Sequence, residues 1–371
     1  MTKIIPTEEE VRLLKSFSSD HWASRMRKLR ILGVDIESAS VTKSGVVAVA
    51  TLDGQTPLDE LKKKANKIRV ILDVKDSDLI DINPGGRSSR VTISVRTRRA
   101  TDGMDMLWHP GITSLGVDTV TGEEVHFPWN QRILIGGSSG SGKSWSGRSL
   151  ITRAIVDPHH IVSCFVDGKG DDANIFSGVA PTAVTDEEII DAIETEHAVM
   201  LSRKKIIARE GLSKWNLNLG PRRIFFIDEG QKVLSVVRME DIRRKRPRRE
   251  DEEYPPDSDD VPVERKLEDL SSQARSREII LIWATQNPIM GASAPGITSM
   301  IRANFDYSFC LRVAGRNNTD TILGSESGVY PHLLPREDWV RGHGFLNTHN
   351  ENLIKTWEVT DEAIRSLASF R

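Results

Sequence analysis

From residue 131 onward, five short apolar runs recur: "RILIGG", "IVSCFVDG", "RRIFFIDEG", "EIILIWATQ" and "YSFCLRV". Runs this uniformly apolar read as strands buried on both faces. The connections between them are long enough for crossover helices, so the pattern predicts an α/β domain with a mostly parallel central sheet covered on both sides. The 371 residues leave room for that domain and a smaller one. The two cysteines, Cys164 and Cys310, lie inside apolar runs and are expected to be buried thiols in a reducing compartment, with no metal site implied. The start, "MTKIIPTEEEVRLLKSF", lacks the apolar core of a signal peptide, and nowhere do about 18 apolar residues run together as a membrane span requires. A cytoplasmic location is expected. The net charge of −2 leaves the partner undecided, because a ring or groove can concentrate Lys and Arg locally.

Ahead of the sheet, "TEEEVRLLKSFSSDHWASRMRKLRIL" places Leu13, Leu14, Phe17, Trp22 and Met26 near helical spacing, which predicts an N-terminal helical segment over 1–36. "GVVAVATL" and "VTISVRTR" alternate as strands. Between them "TPLDELKKKANKIRV" reads as a Thr-capped, Pro-started helix with Leu58, Leu61, Ala65 and Ile68 on one face. A small α/β module over 37–105 is expected, followed by the main domain over 106–371. The stretch 238–266 joins a basic block, an acidic block and prolines with almost nothing apolar, and reads as an exposed, disordered insertion. Its run Arg243 to Arg249 either touches nucleic acid or is neutralised by its acidic neighbour.

The chemistry is concentrated at three strand ends. Gly137-Ser138-Ser139-Gly140-Ser141-Gly142-Lys143-Ser144 is the phosphate-cradling pattern. Glycines let several N–H groups face one phosphate chain, and the next helix adds its positive end. Lys143 reaches the β and γ phosphates, and Ser144 ligates magnesium. "RRIFFIDEG" ends in Asp228, expected in the magnesium shell, and Glu229, expected to orient and deprotonate the attacking water. "EIILIWATQNP" ends in Thr285 and Gln286, whose amide can contact the γ phosphate. Three such elements favour an ATP hydrolase using Mg2+ over a binding fold. A metabolite kinase is disfavoured because nothing reads as an acceptor-substrate lid.

In order, "LGVDTVTGEEVHFPWNQRILIGGSSGSGKS", "FVDGKG", "IFFIDEGQKVL", "QARSREIILIWATQNP", "MIRANFDYSFCLRV" and "NTDTILGSESG" resemble the motor domain of the FtsK/SpoIIIE double-stranded DNA translocases. "GHGFLNTHNENLIKTWEVTDEAI" resembles the strand pair and final helix that complete such motors. The resemblance implies a RecA-like P-loop NTPase fold preceded by a small α/β module. It also implies a homo-hexameric ring around double-stranded DNA, with nucleotide between subunits. With no membrane-spanning start and no winged-helix domain after the motor, the chain is most similar to soluble translocases of plasmids, phages and integrative elements. Lys214 and Trp215 in "EGLSKWNLN", and Arg302 closing "MGASAPGITSMIR", are the candidate DNA contacts. Arg275 is similar in place to an arginine that in related ring motors reaches the neighbouring subunit's nucleotide; Arg277 is its rival, and pairing with Glu268 is the plain alternative. Type IV coupling ATPases, HerA-type helicases and secretion ATPases share these motifs. A nucleotide-gated adaptor would lack the acid at position 229.

Overall fold

The computed structural model describes residues 4–75, 78–245, 261–290, 296–349 and 352–370. The first module is a four-stranded antiparallel sheet in the order Val34–Thr42, Gly45–Leu52, Arg90–Arg96, Leu79–Pro84. The helices Glu8–Ser16 and Ser19–Lys28, expected as a separate segment, pack on this sheet. Leu13, Phe17 and Trp22 share one core with Val46, Ile68 and Ile93, and the Trp22 indole N–H donates to the Val34 carbonyl at 2.8 Å. The helix expected after residue 56 is instead two short ones, Leu58–Lys63 and Ala65–Leu72. Thr56 does not cap it. Its hydroxyl accepts from the Leu32 N–H at 3.2 Å and donates to the Leu32 carbonyl at 2.8 Å, tying the helix entry to the second N-terminal helix's exit.

Among the described residues, the second sheet has ten strands. Six are parallel, in the order Tyr307–Leu311, Ile133–Gly136, Ile279–Thr285, Arg222–Asp228, His160–Asp167, Thr182–Ala183. Beyond Tyr307–Leu311 the sheet continues antiparallel through His343–Leu346, Ile354–Thr356, Gly116–Asp118 and Glu124–Val125. The uniformly apolar runs follow from covering on both faces. Leu134, Phe225, Ile227 and Trp283 point into one core, and Ile133, Ile135, Ile224, Phe226 and Ile282 into the other. A parallel order with strands crossing over helices also places every parallel strand's carboxyl end on one edge. Gly136 pairs with Thr285, and Asp228 with Asp167.

Both ends of the segment 238–266 differ from the expected exposed insertion. Helix Gly230–Arg244 runs into it and helix Val263–Gln273 starts within it, while residues 246–260, with Arg246, Arg248 and Arg249 of the basic run, lie outside the described residues. The charges at these ends are paired. Arg244 and Lys266 both meet Glu194 on helix Asp186–Arg209, at 2.9 and 2.7 Å, and Asp241 accepts from the N–H groups of Val263 and Glu264, capping the second helix. Among the described residues, no helix is long and apolar enough to cross a membrane.

Glu10 fastens the first helix to the strap between the two modules. Its carboxylate, fully buried, accepts from Arg98 at 2.5 and 2.6 Å, from the Thr97 hydroxyl at 2.7 Å and from the Thr7 N–H at 2.8 Å. Burial alone would raise its pKa, but these donors outweigh it and bring the group from 4.5 down to about 2. A folded-state value below the unfolded one adds stability that is complete above the ordinary carboxylate range and is lost as the pH falls toward 2. Glu10→Gln should therefore destabilise the first module by about 1–3 kcal/mol at pH 7 and flatten its stability profile between pH 5 and 3. Urea denaturation across that range checks this; an unchanged pH slope would contradict it.

Candidate active site

The strand Ile133–Gly136 leads through Gly137 to Gly142 into helix Lys143–Val156. Gly140 and Gly142 adopt left-handed φ values of 74° and 95°. Gly142 has a second constraint: a Cβ there would lie 2.2 Å from the Gly342 backbone nitrogen. The contact is close because the Gly342 N–H donates to the Ser141 carbonyl at 2.8 Å, so the C-terminal strand pair braces the loop. On its other side, the Gly137 N–H donates to the Thr285 carbonyl at 3.2 Å and the Ser138 N–H to the Arg312 carbonyl at 2.8 Å.

Lys143, at the helix start, turns its ammonium between the two acids of the Arg222–Asp228 strand end. It pairs with Asp228 Oδ1 and, at 3.2 Å, with Glu229 Oε1. Burial works against the ammonium, but the two carboxylates outweigh it and keep its pKa above the ordinary value. Glu229 is the N-cap of helix Gly230–Arg244 and is held at φ 57°, ψ 56°. That left-handed turn, uncommon for a residue with a Cβ, swings its carboxylate toward the loop. Glycine follows for a visible reason: a Cβ at Gly230 would sit 2.2 Å from the Trp283 indole nitrogen. Gln286, just past Ile279–Thr285, donates from Nε2 to Glu229 Oε1 at 2.6 Å. Lys169 adds an ion pair to the same oxygen at 3.0 Å. Burial alone would raise the Glu229 pKa, yet Lys143 and Lys169 together hold it below the ordinary value.

The structure thus brings Lys143, Asp228, Glu229 and Gln286 together, with Ser144 half-buried in the first turn of the same helix. Lys169 was missed. Its signal was available in "FVDGKG", because the strand ending at Asp167 pairs with the strand ending at Asp228 and delivers Lys169 to the same edge. Two candidate DNA contacts are used internally instead. Trp215 is 5% exposed, donates from Nε1 to the Gly220 carbonyl at 3.1 Å and stacks under Arg203 at 4.2 Å. Arg302 donates to the Thr321 and Ile322 carbonyls and so closes the end of helix Arg316–Leu323. The glycine-rich residues 291–295 before it lie outside the described residues. Lys214 is exposed. Arg275 sits in the short turn Ala274–Arg277, at the amino end of the Ile279–Thr285 strand, where it donates to the Asn130 carbonyl at 3.2 Å and pairs with Asp306 at 3.4 Å. Seven strand residues at about 3.3 Å each separate that edge from the phosphate loop.

Over 334 residues, 88% of its length, the chain is 34% identical to Protein Tra of Streptomyces lividans, and it spans about half of that relative, 52%. The pCW3 conjugation coupling protein TcpA, in a monomer form with ATPγS, has the same fold over 98% of this chain and 100% of that one, with a TM-score of 0.58 at 16% identity. No family profile matches the chain. The ordered motifs, the shared fold and the Tra relationship agree. Both matches support the resemblance to FtsK/SpoIIIE-type proteins. The sheet is RecA-like, with the Ile279–Thr285 strand inserted between the phosphate-loop strand and the acid strand.

The two left-handed glycines should respond differently to a methyl group. At Gly140 a Cβ meets nothing within 4 Å, so Gly140→Ala should cost only the left-handed conformation, about 1–2 kcal/mol. Gly142→Ala must also displace the Gly342 strand end, and should cost distinctly more. Chemical denaturation of the two variants checks the order; equal losses would refute the bracing contact.

Proposed function

We propose that the chain binds ATP with magnesium, hydrolyses it, and uses the cycle to drive double-stranded DNA through a homo-hexameric ring in the cytoplasm during conjugative transfer. The observation that carries the reading is the meeting of Lys143, Asp228, Glu229 and Gln286 at one sheet edge beside the glycine loop. The likeness to TcpA, named a conjugation coupling protein, supports the process. Buried free thiols at Cys164 and Cys310 suit a reducing compartment.

The loop fits a polyphosphate. Gly140 and Gly142 bend the backbone, the 14-residue helix Lys143–Val156 presents its positive end, and the buried Ser141 hydroxyl has no hydrogen-bond partner among the described residues. Ser144 and Asp228 are hard oxygen donors suited to hold magnesium, which would neutralise charge on the β and γ oxygens. Lys143 exchanges its carboxylate partners for phosphate oxygens. Glu229, kept ionised by its lysines, accepts the proton of the attacking water, and Gln286 fixes the carboxylate's orientation. Arg275 lies at the opposite edge from its own phosphate loop, a placement that suits action on a neighbouring subunit's nucleotide. Lys214 is the exposed candidate for backbone phosphate contact.

Glu229→Gln should bind ATP with near-normal affinity and lose about 10²-fold or more in turnover, whereas Lys143→Ala should lose binding as well; calorimetry beside a phosphate-release assay separates the two. Wild-type turnover in Glu229→Gln would remove the assigned base. Arg275→Ala should bind ATP but hydrolyse it about 10³-fold more slowly. Mixing it with Lys143→Ala subunits should restore part of the activity, since one subunit supplies the arginine and the other an intact loop. A mixture that stays inactive despite verified subunit exchange would exclude Arg275 from a shared site.

A further inference from the structure

The acids and the C-terminal strand pair flank the phosphate-loop strand on opposite sides. On one side lie Ile279–Thr285 and then Arg222–Asp228, and on the other lie Tyr307–Leu311, His343–Leu346 and Ile354–Thr356. A nucleotide that has its γ phosphate at Glu229 and runs across the helix start reaches the second side. A cleft of about 190 Å³ opens there, its lining including Trp145, Asp338, Arg341, Lys355, Trp357 and Glu358. It adjoins the loop directly: Trp145 belongs to the first turn of helix Lys143–Val156, and the Gly342 N–H donates to the Ser141 carbonyl at 2.8 Å.

We propose that this cleft seats the purine base of the nucleotide, an inference that rests on the nucleotide-binding reading above. Its size falls below the roughly 300–1,000 Å³ of a site enclosing a whole drug-sized ligand, as suits a flat two-ring base whose phosphates lie elsewhere. The lining chemistry agrees. Trp145 is half-buried and offers an aromatic face, while Arg341, exposed and paired at its guanidinium edge with Asp338 at 3.3 Å, offers a planar cation, the two kinds of surface on which a base stacks. The floor is rigid, because Trp357 is 6% exposed and its indole N–H donates to the Ser114 hydroxyl at 2.9 Å. Lys355 joins the two C-terminal segments by donating to the Arg341 carbonyl at 2.5 Å. Glu358 brings a carboxylate, an acceptor for an exocyclic amino group. The strand pair thus both braces the loop through Gly342 and reads the base, so loop geometry and base recognition share one support.

Calorimetric titration with ATP, ITP and inorganic tripolyphosphate tests the assignment. Wild type should bind ATP more tightly than tripolyphosphate. Trp145→Ala should weaken ATP roughly tenfold, the loss of one stacked base, and leave tripolyphosphate unchanged, and Trp145→Phe should recover most of the loss. Glu358→Ala should narrow the difference between ATP and ITP, which lacks the exocyclic amine. Unchanged ATP affinity in Trp145→Ala, or an equal fall for ATP and tripolyphosphate, would overturn the base seat. Wild type binding tripolyphosphate as tightly as ATP would overturn it while leaving the phosphate loop's role intact. Wild type binding neither would remove the nucleotide-binding reading and the base seat with it.

Discussion

The Lys143 ammonium held between the Asp228 and Glu229 carboxylates is the contact on which the rest of the site depends. Three buried charges are tolerable only when each satisfies the others, and truncating one leaves the remainder exposed to the full cost of burial. This arrangement requires the phosphate-loop strand and the acid strand to end level with each other while leaving one strand's width between them. The sheet order supplies that gap with Ile279–Thr285, whose own end delivers Gln286 to Glu229. A one-residue slip in any of these parallel pairings would turn the acids into a hydrophobic layer. The alternation of Ile224, Phe225, Phe226 and Ile227 between the two cores fixes the register.

What was legible in the sequence is what is local. Gly137 to Ser144, and the acids Asp228 and Glu229 at the end of an apolar strand, are recognisable because the chemistry demands those residue types within a few positions of each other. The parallel sheet followed from the uniformly apolar runs. Lys169 was harder, since its relation to Glu229 exists only through the pairing of two strands some 60 residues apart, and Asp167 pairs with Asp228 only once the chain has folded. Trp215 sits among exposed polar residues and reads as a surface aromatic, yet the Arg203 guanidinium and the Gly220 carbonyl draw it inside. The charges around 238–266 read as solvated because their partner, Glu194, belongs to a helix earlier in the chain.

The boundary between modules also depends on contacts that sequence pattern does not reveal. The N-terminal helices complete the core of the small sheet, and Glu10 then clamps them to Thr97 and Arg98 in the strap leading to the larger sheet. One residue further, the Arg99 guanidinium lies 3.3 Å from the ring centre of Trp339, just ahead of Arg341 and Gly342. The strap therefore touches the segment that braces the phosphate loop, giving the small module a physical connection to the site.

The central claim, a nucleotide motor that tracks a DNA backbone, is tested most directly by ATP turnover of the wild-type chain with and without linear duplex DNA over a series of salt concentrations. The account predicts stimulation by duplex of any sequence, falling steeply as salt rises because each phosphate contact releases counterions. Stimulation by single strands or forks above blunt duplex, stimulation by peptide alone, or a DNA effect indifferent to salt would contradict it.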